Sequence, residues 1–184
     1  MSATTKLYTA EDLWQMPGDE PWELWEGELH KVPSAGGEAS ALASWIGTLI
    51  LLFVRPRRLG MVTGADGTYI LNNDPYTVLV PDVAFVRWER LPDGVPPKRY
   101  IPVPPDLAVE VRSPSDRSGE IAQKLALYQR AGVPLVWWVD PAPCTVTVHR
   151  LGQPATELHE GVELNGDDVL PGFRLPVAEI FAEA

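Results

Sequence analysis

Two carboxylates stand inside the most apolar strand-like runs of this chain, and any fold it adopts must find them partners. Asp82 lies in Val78-Leu-Val-Pro-Asp-Val-Ala-Phe-Val86, and Glu110 lies in Leu107-Ala-Val-Glu-Val111. Side chains alternate along a strand, so Leu107, Val109 and Val111 share one face while Ala108, Glu110 and Arg112 share the other. A lone buried carboxylate costs several kcal/mol unless it is paired or binds a metal. A half-exposed strand or a structural ion pair accounts for one such residue. Two of them point toward a shared site.

A lysine adds to the pattern. Residues Ser118–Ala131 carry the clearest helical periodicity in the chain, with Gly132 placed as its C′ residue. At about 100° per residue, Ile121, Leu125 and Tyr128 form one apolar stripe, and Lys124 falls inside it. Either Lys124 snorkels to water from the rim of that stripe, or it is delivered from the buried face toward the carboxylates beneath.

The 15 glycines and 19 prolines cut the rest into short elements. Thr9-Ala-Glu-Asp12 has capping-box spacing, so residues 10–16 read as a short helix. Glu23 to Val32 reads as a hairpin turning at Glu26-Gly27. A longer helix runs from about Glu38 to Val54 and stops at Pro56. Strands are expected around Met61–Val62, Thr68–Leu71 and Thr77–Val86, the last interrupted by Pro81. The six prolines of residues 88–105 mark a loop. Leu107–Arg112, Leu135–Val139 and Thr145–Arg150 read as strands, followed by short strands and turns. Without a repeat or an interdomain linker, residues 1–184 are expected to form a single domain of α/β or α+β class.

Charge and cysteine count narrow the function. Lys plus Arg total 15 against 25 Asp plus Glu, a formal charge of −10, so no global basic surface for nucleic acid is expected. A local basic groove is still compatible with that balance, and Arg55–Arg58, Lys98, Arg99, Arg112 and Arg117 are its sources. The single cysteine, Cys144, excludes an intrachain disulfide and a cysteine zinc cluster. No apolar run reads as a membrane span, and Met1-Ser-Ala-Thr-Thr-Lys6 lacks the pattern of a secretory leader. The expectation is a cytoplasmic protein without a membrane partner.

Pro81-Asp82 followed by Glu110-Val-Arg112 resembles the PD-(D/E)xK signature of restriction-endonuclease-like nucleases, the 28-residue gap leaving room for a strand to turn and lay Glu110 beside Asp82. Pro105-Asp106 is a rival pair, but Asp106 and Glu110 are four residues apart on one strand, about 13 Å, too far to hold one ion. The wider pattern is more specific. Pro104-Pro-Asp-Leu-Ala-Val-Glu-Val-Arg-Ser-Pro-Ser-Asp116, Lys124, Tyr128, Gly132-Val133, Trp138 and Asp140-Pro141 resemble the Uma-type family of bacterial proteins catalogued as endonucleases, long known only as a domain of unknown function. Trp22-Glu23, Gly27-Glu28-Leu29, Pro33-Ser-Ala-Gly-Gly-Glu38, Gly60-Met-Val62 and Leu170-Pro-Gly-Phe173 extend the resemblance over roughly residues 8 to 181.

The resemblance implies a restriction-endonuclease-like core, a mixed β-sheet flanked by helices, with an N-terminal hairpin and a C-terminal β extension. It implies Asp82 and Glu110 as ligands of Mg2+, with Mn2+ as an alternative, and hard carboxylate oxygens suit either ion. Glu38 matches a glutamate that reaches the metal directly or through water, although a helix-start glutamate is also favoured by the macrodipole alone. The histidine that often follows it in relatives is absent, Ala39 standing there. Glu23 matches a frequent acidic position in the first hairpin and is a weaker candidate beside a solvated charge. Arg112 occupies the signature lysine position and cannot act as a base, though it could clamp a phosphate. Lys124 matches a lysine that the family carries on the following helix. Lys98 and Arg99 join Arg112 as expected substrate contacts. His30, His149 and His159 show no ligand spacing and read as solvated or hydrogen-bonded side chains.

The function expected is therefore a Mg-dependent endonuclease that hydrolyses DNA through a metal-activated water and could act as a homodimer. The alternative is a non-catalytic binding or assembly module that keeps the nuclease fold; RNA or small nucleotides are a third substrate class. Asp82, Glu110 and Lys124 converging with space for an ion would favour the enzyme. A site plugged by an apolar side chain or a salt bridge would favour the module.

Overall fold

The computed structural model describes residues 6–18, 20–71 and 74–182. The leader reading over Met1–Thr5 and both chain ends of the single-domain expectation lie outside the described residues.

Thr9 starts the first helix, α1 (Ala10–Trp14), as its spacing predicts. The Asp12 amide donates to Thr9 Oγ1 at 3.2 Å, and the Thr9 amide donates back to the Asp12 carboxylate at 2.8 Å. A hairpin follows, β1 (Trp22–Trp25) and β2 (Glu28–Lys31), in antiparallel register. Its two turn residues, Glu26 and Gly27, have φ of 55° and 90°, the left-handed pair that a two-residue hairpin requires.

The long helix α2 (Gly37–Arg57) buries Ala39, Leu42, Ala43, Ile46, Ile50 and Val54, a stripe at helical spacing. Each large aliphatic side chain there contributes about 1.5–3 kcal/mol on burial. Gly47 permits the close approach to the sheet, since a Cβ at that position would lie 3.3 Å from Val83 Cγ2. One expectation needs correction. Pro56 lies inside the last turn rather than ending the helix, and the stop comes at Arg58 in the left-handed conformation. By length and composition α2 is apolar enough to cross a membrane, a test that buried core helices also pass, and its unbroken run of large apolar residues is only Leu49–Val54. In this fold its buried stripe covers the sheet.

Pro81 decides how the middle of the chain divides. After β3 (Gly60–Thr63) and β4 (Tyr69–Ile70), the apolar run splits into β5 (Val78–Leu79) and β6 (Val83–Arg87), which enter different sheets. Asp82 therefore sits just before a strand rather than within one. Two short 3-10 turns, Trp88–Arg90 and Pro92–Gly94, interrupt the Pro-rich loop. Then come β7 (Leu107–Val111), α3 (Ser118–Arg130), β8 (Leu135–Asp140), β9 (Thr145–Arg150), β10 (Thr156–Leu158), β11 (Glu163–Gly166), β12 (Leu170–Pro176) and α4 (Val177–Phe181).

The main sheet has the order β10-β9-β8-β7-β6-β3. Only β7 and β8 pair in parallel, with α3 as the crossover between them, so the sheet is mixed. A smaller sheet, β2-β1-β5-β4, carries the N-terminal hairpin, and β11-β12 forms the C-terminal ribbon. On one face of the main sheet, α2, β12 and α4 enclose Val83, Phe85, Leu107, Val109, Trp137 and Val139. On the other, Leu127 and Tyr128 of α3 and Trp25 and Leu79 of the small sheet cover Ala84, Ala108, Val136 and Trp138. The expected mixed sheet flanked by helices, with its hairpin and β extension, is the fold observed.

Candidate active site

Alternation along β7 sends Val109 and Val111 under α2 and turns Glu110 toward α3. Lys124 and Tyr128 are four residues apart on α3 and so present to the same point. Tyr128 donates its hydroxyl hydrogen to Glu110 Oε1 at 2.5 Å, and Lys124 Nζ donates to Glu110 Oε2 at 2.9 Å while lying 2.8 Å from Oε1. The same ammonium lies 2.9 Å from Glu23 Oε1 on β1. Glu23 is 4% exposed and also accepts from Trp25 Nε1 at 2.9 Å and from the Val80 amide at 2.8 Å. It is thus a buried member of the cluster, not a solvated hairpin charge. Asp82 Oδ2 accepts from the Val111 amide at 2.7 Å, which fixes Asp82 one residue beyond Glu110 along β7.

Three carboxylates around one ammonium would, if all were ionised, leave two uncompensated negative charges in a place largely removed from water. Burial, aided by the Asp82 and Glu23 charges and opposed by Lys124, pushes the Glu110 carboxyl up to about 8. Burial also raises Asp82, against the Val111 hydrogen bond and the Lys124 charge. For Lys124, burial alone would favour the neutral amine, but Glu110 and Glu23 outweigh it and hold the ammonium above the ordinary lysine range. Burial and the same carboxylates keep Tyr128 protonated far above the usual phenol range.

These groups open onto a cavity of about 400 Å3. Trp25, His30 and Lys31 of the hairpin form one wall, and the segment Ser113–Ile121 forms another, with Asp82, Glu110 and Lys124 between them. Asp82 also borders a second groove, beside Ser40, Ser44 and Thr48 of α2.

Of the expected site residues, Asp82, Glu110 and Lys124 meet in the one cavity, arriving from a loop, a strand and a helix. Glu38 is exposed in the first turn of α2 and lines neither cavity. Arg112 pairs with Asp140 Oδ2 at 2.7 Å, away from the carboxylates. Lys98 is exposed, and Arg99 bonds Glu11 at 2.6 Å with its guanidinium over the Trp14 ring. These cations do not form one groove with the cavity; of those expected, Arg117 alone lines it. The rival Asp106 is buried elsewhere, accepting from the Arg87 amide at 2.8 Å and pairing with Arg90 at 3.1 Å. Reading the sequence missed Glu23 burial, the Tyr128 hydrogen bond and the place of His30. A phenol inside the same stripe as Lys124 was the available signal for Tyr128, since a buried hydroxyl needs an acceptor.

Asp82 and Glu110 are the pair that could hold a cation. Among the described residues no three His, Cys, Asp or Glu side chains are grouped so as to hold a metal ion. Two hard carboxylates, an excess of negative charge and an open cavity fit a small divalent ion that keeps several of its waters.

A family model described as "Uma2: Putative restriction endonuclease" matches residues 10–178. A crystal structure of a putative nuclease belonging to DUF820 from Anabaena variabilis ATCC 29413 is similar to this chain with a TM-score of 0.81. The two are 21% identical, and the match covers 95% of this chain and 97% of that one. That likeness shows a shared fold. No curated protein matches the chain.

Proposed function

This chain belongs to the Uma2 family, and on that premise we propose that it is a metal-dependent endonuclease hydrolysing DNA phosphodiester bonds in the cavity of Asp82, Glu110 and Lys124. The convergence of those three side chains, from three separate segments, is the observation that carries the proposal. Asp82 and Glu110 would hold Mg2+, or Mn2+ in its place. When bound, the ion supplies Lewis acidity, lowering the pKa of the attacking water and offsetting charge on the scissile phosphate.

The chain's own residues have separable tasks. Tyr128 and Lys124 fix the Glu110 carboxylate from two sides, and the Val111 amide fixes Asp82. Because its carboxylate neighbours keep Lys124 charged, it serves as a hydrogen-bond donor and fixed positive charge rather than as a base. It orients water or stabilises the negative charge that develops on the phosphate. Glu23 holds that ammonium in place, itself anchored by Trp25 and Val80. Arg112 stands outside the cavity, where it can meet a flanking phosphate by exchanging Asp140 for it. A homodimer cutting both strands belongs to the same proposal, and the exposed Trp45, Leu51 and Leu52 of α2 supply apolar surface for it.

A second reading, a non-catalytic module, has one observation in its favour: Lys124 already forms a salt bridge with both Glu110 and Glu23. The remaining charge of Asp82 and the open cavity weigh for the enzyme. A plasmid-nicking assay with Mg2+ or Mn2+ separates the two. The proposal expects nicking by the wild type and its loss in Asp82→Asn/Glu110→Gln; a well-folded wild type that never nicks favours the module.

A further inference from the structure

The hairpin wall of the cavity contains an aromatic ring that the mechanism leaves unused. His30 stacks on Trp25 with ring centroids 4.0 Å apart and planes 15° from parallel. Trp25 is itself buried, and its indole N–H is tied to Glu23, so the lower ring of the stack is immobile. With one face of His30 covered by Trp25, its other face and its edges are what remain to line the cavity. The same cavity is lined by Arg117, exposed and without an ion pair or side-chain hydrogen bond among the described residues. Arg87, Arg90, Arg99, Arg112, Arg150 and Arg174 are paired, and of the arginines without an ion pair Arg117 is the one that lines the cavity.

Size completes the picture. A volume of about 400 Å3 lies near the lower end of the ~300–1,000 Å3 range of small-ligand pockets. It suits one nucleotide and is too confined for a stacked base pair.

We infer that this cavity takes a single unstacked nucleotide, its base laid on His30 as the third ring of the Trp25–His30 stack and a phosphate turned toward Arg117. The inference rests on the nuclease reading and narrows it, making the preferred substrate a single strand or a frayed end rather than continuous duplex. Stacking of this kind tolerates any base, because every base has a π-face.

The test uses the full chain carrying Asp82→Asn, which keeps an acceptor for the Val111 amide, removes one negative charge and stops cleavage. Binding of a labelled single-stranded dT oligonucleotide is followed by anisotropy, alongside a closed-ended duplex and an oligonucleotide of abasic residues. Adding His30→Ala is expected to weaken single-strand binding roughly 5- to 150-fold, the range for loss of one stacked base, while His30→Phe restores it. Arg117→Ala should reduce the slope of log affinity against log salt by about 0.7, the value for one phosphate contact on a single strand. Equal affinity for duplex or abasic strand, or a His30→Phe chain as weak as His30→Ala, would overturn the inference. Nicking by the wild type with unchanged binding in His30→Ala would overturn it too, while leaving the nuclease reading intact. No binding by Asp82→Asn and no cleavage of plasmid or single-stranded oligonucleotide by the wild type would remove both.

Discussion

The Lys124 ammonium lies 2.9 Å from Glu23 Oε1, joining α3 to the first hairpin across the cavity that Glu110 enters from the sheet. One cation thus holds together parts of the chain about a hundred residues apart, and several consequences can be measured.

Replacing Lys124 by Met would leave Glu23 and Glu110 buried without their cation. Breaking a buried pair in this way costs about 3–5 kcal/mol. Urea denaturation at neutral pH should show that loss, and a value near zero would mean that the pair is solvated in solution.

The metal-free protein should become less stable as pH rises. Glu110 has a carboxyl raised by burial from 4.5 in the unfolded chain to about 8 in the fold, and Asp82 is raised as well. Between those pH values the folded state binds more protons than the unfolded one, so stability is fully present below 4.5 and declines as pH passes through 8. Mg2+ or Mn2+ should flatten that decline, because a bound cation favours the charged carboxylates. Thermal melts across pH 5 to 9, with and without the ion, read both effects.

Tyr128→Phe keeps the ring and deletes the donor to Glu110. Leaving that buried acceptor short of a partner should cost about 1–3 kcal/mol. Nicking should fall along with stability, since the carboxylate loses one of the two groups that orient it. Full activity in Tyr128→Phe would show that Lys124 alone suffices.

The Arg112–Asp140 pair is exposed enough that Arg112→Ala should change stability by no more than about 1 kcal/mol. Any larger fall in cleavage would then report on substrate rather than on folding. Comparing chemical denaturation with nicking in this variant separates the two.

Much of this site was legible from local pattern. Alternation set Glu110 on the strand face opposite Val109 and Val111, and a lysine inside an apolar stripe left Lys124 either snorkelling or turned inward, a choice that the family resemblance made. Glu23 escaped because Trp22-Glu23-Leu24-Trp25 contains apolar residues on both faces, so period two cannot say which way the glutamate points. Its burial depends on contacts remote in sequence, with Val80 and Lys124. Asp106 was ambiguous for the same reason, since Arg87 and Arg90, not its neighbours, account for it. Arg99 was expected at the substrate from its charge and Arg112 from its place in the signature; in the fold they pair with Glu11 and Asp140. The five-residue α4 is too short to show a period, and packing of Val177, Ile180 and Phe181 defines it.

The central claim is that Asp82 and Glu110 together hold a divalent ion. Calorimetric titration of Mg2+ and Mn2+ into the wild type and into Asp82→Asn/Glu110→Gln tests it most directly. Saturable binding by the wild type, abolished in a folded double variant, is the predicted result. A folded wild type that takes up neither ion, or a double variant that binds as tightly as the wild type, would contradict it.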